Sequence, residues 1–374
     1  MQKNFVHWMF AAILICGACV FTSCSSNEDN PVIVANGPTI TTQPENVTYN
    51  IGDTTYPKMS VAAKASAGEL TYEWFSKIDG TYYSSGITTA ELDLKAFIGN
   101  MIALSREEAI GAYTFMCKVT DGKGTVESNE ATLTITDIPA SGLAENIIGK
   151  WMVEELNGQP CPTNWKTVLT FVSPTKAYGS LSDFSTPMWN VKVLADVKID
   201  GNKVNVINTD GNIRQVLDCT ILSITDKDLL MSSDWNVYED GVKIYQEVYG
   251  KERYDRIIAD YSQDILGTWE GKVTSSEDEH TDGELHRWEY KADGTYVYYS
   301  KENDEWKAGN DVMADYFVDG ILLCTRWKQT ADSKELREWW EIESIKDGVM
   351  KWTALRMRED GTTYTATFEM TKVQ

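Results

Sequence analysis

Asn146-Ile-Ile-Gly-Lys-Trp151 returns further along the chain as Asp264-Ile-Leu-Gly-Thr-Trp269. Leu222-Ser-Ile-Thr-Asp-Lys-Asp-Leu-Leu-Met231 likewise matches Glu343-Ser-Ile-Lys-Asp-Gly-Val-Met350, and Glu239-Asp-Gly-Val-Lys-Ile-Tyr245 matches Glu359-Asp-Gly-Thr-Thr-Tyr364. Three matches in order, at an offset of about 120 positions, mark two homologous domains, 146–262 and 263–374, with a period too long for a solenoid. Asp-Gly dipeptides begin at Asp79, Asp121, Asp200, Asp210, Asp240, Asp282, Asp293, Asp319, Asp347 and Asp360. Both residues tolerate positive φ, so type I′ hairpin turns are expected there. Between them run short alternating segments such as Lys203-Val-Asn-Val-Ile207 and Thr363-Tyr-Thr-Ala-Thr-Phe-Glu-Met370. Helical periodicity is confined to 91–109 and, more briefly, 254–261. The fold class is all-β.

Upstream, Pro38 and the linker 137–145 bound a further domain, 38–136. Period-two alternation puts Leu70, Tyr72 and Trp74 on one strand face. It does the same for Tyr113, Phe115, Cys117 and Val119. A central Trp followed some way on by Tyr and Cys resembles an immunoglobulin-like sandwich. No Cys precedes Trp74, so the inter-sheet disulfide of antibody domains is not expected, and the resemblance concerns fold alone.

Each repeat opens on Gly-x-Trp and continues through about eight short strands. That pattern resembles the lipocalin-like (calycin) antiparallel β-barrels, which implies a Trp plugging one barrel end and a late Arg packed over it. Arg253 in the first repeat and Arg356 or Arg358 in the second are the candidates. A closed eight-stranded barrel has an interior that either fills with side chains or holds one small ligand.

The N-terminus adds an address. Lys3 and the apolar run from Phe5 to Phe21 have the charge and length of a signal peptide, too short for a confident membrane span. The run leads into Phe21-Thr22-Ser23-Cys24, then abruptly into Ser25-Ser26-Asn27-Glu28-Asp29-Asn30-Pro31. This resembles a bacterial lipobox, although Phe21 stands where Leu is usual and Cys19 is a rival; Cys24 alone opens a polar tether. The resemblance implies residues 1–23 as signal peptide, acylation at Cys24, and 24–37 as tether. Stable anchoring follows because each buried methylene of an acyl chain adds about 0.8 kcal/mol. The acidic run is similar to the surface-export tag of Bacteroidetes lipoproteins, the alternative being a solvated linker. Lipobox, immunoglobulin-like spacer and tandem lipocalin-like domains together resemble the envelope lipoproteins of Bacteroidetes. An outer-membrane, lipid-anchored position at the cell surface is the corresponding expectation.

A net charge of -22 argues against a nucleic-acid partner. Four cysteines follow Cys24. Cys161 and Cys219 share one domain, but isolated buried thiols are the expected state. His280 and His286 flank an acidic stretch without zinc-ligand spacing. No nucleophile motif or phosphate loop accompanies them, so no enzyme activity, metal or cofactor is expected. The candidate ligand-binding set is aromatic: Trp288, Tyr290, Tyr296, Tyr298, Trp327, Trp340 and Trp352. Adjacent Trp339 and Trp340 must point to opposite strand faces. The expected function is passive binding of a small apolar ligand or glycan by the second barrel. One alternative is a structural lipoprotein with filled barrels that contacts other envelope proteins. The other is a carbohydrate-active enzyme with paired carboxylates. Replacing Cys24 by Ser is expected to abolish acyl incorporation: a radiolabelled fatty acid tags the wild-type chain and leaves the Cys24→Ser chain unlabelled.

Overall fold

The structure is a computed structural model and describes residues 37–139, 142–182, 189–276, 285–358 and 360–373. The expected signal peptide (residues 1–23), Cys24, His280 and the turn at Asp282 lie outside these residues. The chain forms two compact units that meet in sequence at residues 140–141.

In the first unit, Trp74 is fully buried on the strand Thr71–Ile78 and sits in register with Cys117 of Gly111–Asp121. Its Nε1–H donates to the Thr89 carbonyl at 2.9 Å. The sheet runs Val47–Asn50, Ala131–Thr136, Gly111–Asp121, Thr71–Ile78, Thr81–Ser84, with the first pair parallel. Gly124–Glu127 adds to Gly111–Asp121, and two small ladders, Thr39–Thr42 with Ala62–Lys64 and Lys58–Ser60 with Glu91–Asp93, complete an immunoglobulin-like sandwich. The helical periodicity of 91–109 becomes a helix at Lys95–Leu104, whose Ile98 is fully buried, and a short turn at Arg106–Ala109. The Tyr113 hydroxyl donates to the Ala109 carbonyl at 2.9 Å and ties that turn to the strand.

The second unit holds both repeats as tandem lipocalin-like barrels. In the first, Gly149–Leu156, Val168–Ser173, Lys176–Ser182, Ala195–Asp200, Lys203–Asp210, Ile213–Ile224, Asp228–Glu239 and Val242–Ile257 follow one another antiparallel, and the last pairs with the first. The barrel is closed. Of residues 254–261, expected to be helical, 254–257 end that closing strand and 258–261 are irregular.

The second barrel repeats the meander with Gly267–Ser276, His286–Tyr290, Tyr296–Glu302, Met313–Asp319, Leu322–Lys328, Leu336–Lys346, Val349–Met357 and Thr363–Lys372. Here Glu305–Ala308 folds back on Tyr296–Glu302 and takes its edge. Closure against Met313–Asp319 is reduced to the Thr295–Asp315 bridge and the bond from Tyr316 N–H to the Gly294 carbonyl. Of the Asp-Gly turns, Asp79, Asp240 and Asp347 have positive φ at both residues, as type I′ demands. At Asp200, Asp210, Asp293, Asp319 and Asp360 only the glycine does, the pattern of a type I turn closed by a bulge.

Gly-x-Trp acquires a physical reason. Trp151 and Trp269 are fully buried, and each donates its Nε1–H to the carbonyl four residues earlier, Ile147 at 2.7 Å and Ile265 at 2.6 Å. Gly149 and Gly267 have φ of 135° and 112°. A Cβ on Gly149 would meet Arg256 Nη1 at 2.7 Å, so the glycine also clears space for the cation above the indole. That cation is Arg256, 4.0 Å from the Trp151 ring, and not Arg253, which pairs with Glu155 instead. In the second repeat it is Lys372 over Trp269, at 5.1 Å. Arg356 and Arg358 lie over Trp340 and Tyr364.

The barrels share a core. Met152 and Val168 of the first pack with Phe317, Leu322, Cys324 and Trp339 of the second. Lys166 crosses between them, its buried ammonium 2.6 Å from Glu154 and 2.5 Å from Glu341. Lys150 pairs with the buried Asp319 nearby. The four cysteines at 117, 161, 219 and 324 are all buried and free, and burial pushes the Cys161 thiol up to about 12.

Two carboxyls among the described residues are pushed far above their ordinary range. Glu252, on the same strand face as Tyr254, accepts from the Ser233 hydroxyl and from Tyr254 Oη, and burial pushes it up to about 7. Glu154 also rises to about 7, through burial and then the Glu341 charge. A carboxyl raised in the folded state favours folding while protonated. Its stabilisation is therefore full below the ordinary value of 4.5 and is lost as pH climbs through 7. Chemical unfolding measured from pH 4.5 to 8 is expected to show falling stability. Glu252→Gln should flatten that fall by up to about 3 kcal/mol.

Candidate functional site

One strand, Leu336–Lys346, builds both sides of the candidate site by alternation. Arg337, Trp339 and Glu341 face the first barrel; Glu338, Trp340 and Ile342 face the interior of the second. The adjacent tryptophans thus point oppositely, as expected, yet both are buried, because the first barrel covers Trp339. On the covered side Trp189 packs edge-on to Phe317 at 5.0 Å, with Arg326 and Arg337 over its ring.

Inside the second barrel a cavity of about 180 Å³ remains. Its aromatic wall consists of Trp288, Tyr290, Tyr298, Trp340, Trp352 and Phe368. The rings meet at steep angles that hold them apart as walls. Trp288 lies 5.4 Å from Trp352 at 80°, and Phe368 lies 5.3 Å from Trp340 at 79°. Such edge-to-face pairs are each worth about 0.5–1.5 kcal/mol beyond burial, enough to fix the wall. Trp352 is almost fully buried and its Nε1–H has no acceptor among the described residues. An unmet buried donor costs about 1–3 kcal/mol, which a bound acceptor would recover.

The cavity opens away from the Trp269 plug. Gly267 pairs with Tyr290 at the plugged end, whereas Gly271 pairs with His286 toward the other. Val273, His286, Thr325, Glu338 and Arg356 line the cavity toward that far end. There Arg356 Nη2 donates to Glu338 Oε1 at 3.2 Å, both side chains about one-third exposed. His286 Nδ1 lies 3.0 Å from the Tyr298 hydroxyl, and its ring stacks on Trp288 at 5.5 Å.

Five of the seven aromatic candidates come together as cavity wall: Trp288, Tyr290, Tyr298, Trp340 and Trp352. Tyr296 lies behind Tyr290, ring centres 6.1 Å apart, and Trp327 packs half-buried against the same core; neither lines the cavity. Burial pushes the Tyr290 and Tyr296 phenols well above their usual range, so both stay neutral. Sequence reasoning set His286 beside an acidic stretch, at the start of the strand that carries Trp288 and Tyr290, and passed over Glu338, Phe368, Val273 and Thr325. Period-two alternation with Trp340 was the available signal for Glu338; nothing local marks the others.

No protein-family model matches the chain, and no curated protein does. Among solved structures, it is similar to the Sidekick-1 immunoglobulin domains 1–5, at 12% identity and a TM-score of 0.19, with 73% of this chain and 57% of that one covered. A protein of unknown function from Nostoc punctiforme gives 10% identity and a TM-score of 0.19, over 62% of this chain and 97% of that one. Transferrin-binding protein B from Haemophilus parasuis gives 7% identity and a TM-score of 0.18, over 86% and 84%. Likeness at this level bears on neither ligand nor partner.

The same substitution should weigh differently at two tryptophans. Trp269→Phe forfeits the bond to Ile265 and loosens the plug, an expected loss of about 2–3 kcal/mol. Trp352→Phe removes an N–H that has no acceptor, at a cost of about 1 kcal/mol or less. Urea unfolding of the two variants checks the order.

Proposed function

We propose that this protein is a lipid-anchored, non-enzymatic binding protein of the bacterial outer envelope, whose second barrel holds a small ligand. The observation that carries the reading is the tryptophan-walled cavity with an unmet indole donor. Ligand sites of this kind are concave and mainly apolar, with a few placed polar groups. Binding is passive. The rings desolvate the ligand, Trp352 supplies one hydrogen bond, and the acylated Cys24 confines the chain to the membrane.

Glu338 is the one carboxylate among the described residues lining the cavity, and it is paired with Arg356. A glycosidase would need a second carboxylate across the scissile bond. The Bacteroidetes lipoprotein reading rests on the lipobox and the domain order in the sequence. A second reading has one observation in its favour. Val242, Ile244, Tyr245 and Val248 are exposed along the strand Val242–Ile257, which suits contact with another envelope protein.

Tryptophan fluorescence of the purified full chain, titrated with small ring compounds, fatty acids and oligosaccharides, tests the proposal. Saturable quenching that weakens at least about tenfold in Trp288→Phe and Trp352→Phe is expected. A flat response to every compound would overturn the ligand-binding reading and favour the interaction surface.

A further inference from the structure

The aromatic chamber has a neighbour. Thr163 and Asn164, on a short turn of the first barrel, face Arg337, Leu355 and Met357 of the second across a groove of about 180 Å³. Glu338 and Arg356 line this groove and the chamber alike, so their ion pair stands where the two spaces adjoin. The barrels are held in this arrangement by the Lys166 bridge, and the Leu355 N–H donates to Thr163 Oγ1 at 3.0 Å. The first barrel therefore completes one wall of the groove.

The two spaces differ in chemistry. The chamber is aromatic, with an unmet indole donor on Trp352 among the described residues. Its volume is close to the roughly 150 Å³ that accommodates benzene and well below the roughly 300 Å³ of a site for drug-sized molecules. One ring fits; a long acyl chain does not. The groove carries donors and acceptors in matched charge pairs. Arg356 donates to Glu338, and Arg337 Nε donates to Glu335 Oε1 at 2.7 Å. A charged ligand would have to break one of these pairs, whereas neutral hydroxyls join them without importing charge. Leu355, Met357 and Trp339 add apolar surface beside them. A sugar ring offers hydroxyls at its rim and C–H groups on its face, which matches this mixture.

Resting on the ligand-binding reading of the second barrel, we propose that chamber and groove form one bipartite site for a neutral glycoside of a single-ring phenol. The aromatic ring occupies the chamber, where its phenolic oxygen accepts from Trp352 Nε1–H. The sugar lies in the groove against Asn164, and the Arg356–Glu338 pair flanks the linkage between them. The first barrel thereby becomes part of the recognition surface.

Calorimetric titration of the full chain with hydroquinone, methyl β-glucoside and 4-hydroxyphenyl β-glucoside tests this. The aryl glucoside is expected to bind at least about tenfold more tightly than either fragment. Asn164→Ala should bring its affinity down toward that of hydroquinone, and Trp352→Phe should weaken hydroquinone and the aryl glucoside together. Equal affinities for hydroquinone and its glucoside would overturn the bipartite site while leaving the second barrel a ligand-binding one. Equal affinities for the two glucosides would overturn it from the other side, by removing the chamber from the contact. Binding of none of the three, with a flat fluorescence response as well, would remove both readings.

Discussion

The strand Leu336–Lys346 must satisfy two cores at once. A β-strand turns successive side chains to opposite faces, so a single register assigns Trp340 to the barrel interior and Trp339 to the joint with the first repeat. A slip of one residue would exchange Glu338 and Trp340 for Arg337 and Trp339, putting a guanidinium into the aromatic chamber and stripping the joint of its indole. The cavity, the shared core of Met152, Val168, Phe317 and Leu322, and the Lys166 bridge to Glu341 all follow from that register. Lys166 itself is fixed rather than strongly stabilising. Burial opposes its charge, and two carboxylates restore it. Its value lies in geometry, since losing Lys166 would leave Glu154 and Glu341 facing each other without a cation.

The two repeats have diverged at equivalent positions. Both keep the buried Trp bonded back to the Ile carbonyl four residues before it, and both cover that Trp with a cation from the closing end of the barrel. The first barrel closes by a full ladder from Lys150 to Leu156. The second also ladders its last strand to its first, but diverts an edge of Tyr296–Glu302 to Glu305–Ala308 and leaves one bridge toward Met313–Asp319.

Much of this was legible in the residues because it is local. The recurrence of Gly-x-Trp, the alternation through Trp74, and the opposed pair Trp339 and Trp340 need only sequence period and strand geometry. What escaped depends on contacts far apart in sequence. Arg256 reaches Trp151, and Lys372 reaches Trp269, because closure brings last strand to first, and no spacing rule distinguishes them from Arg253 or Arg358. Phe368 enters the chamber through its pairing with Trp352. His286 joins the cavity wall because its strand pairs with Gly271, a contact that no local period shows. Residues 254–257 present an apolar period that suits a helix, but the ladder to Gly149–Leu156 outweighs a few residues of intrinsic preference. Tyr296 and Trp327 have the composition of cavity residues and serve as packing behind the wall.

The account stands on an apolar space between the indoles of Trp288, Trp340 and Trp352. Crystals of the protein pressurised with xenon probe that space directly, because xenon enters apolar cavities of this size without needing hydrogen bonds. A xenon peak within the ring of Trp288, Trp340, Trp352 and Phe368, at the end of the barrel away from Trp269, is the predicted result. Electron density showing those rings closed on one another, with no xenon among them, would contradict it.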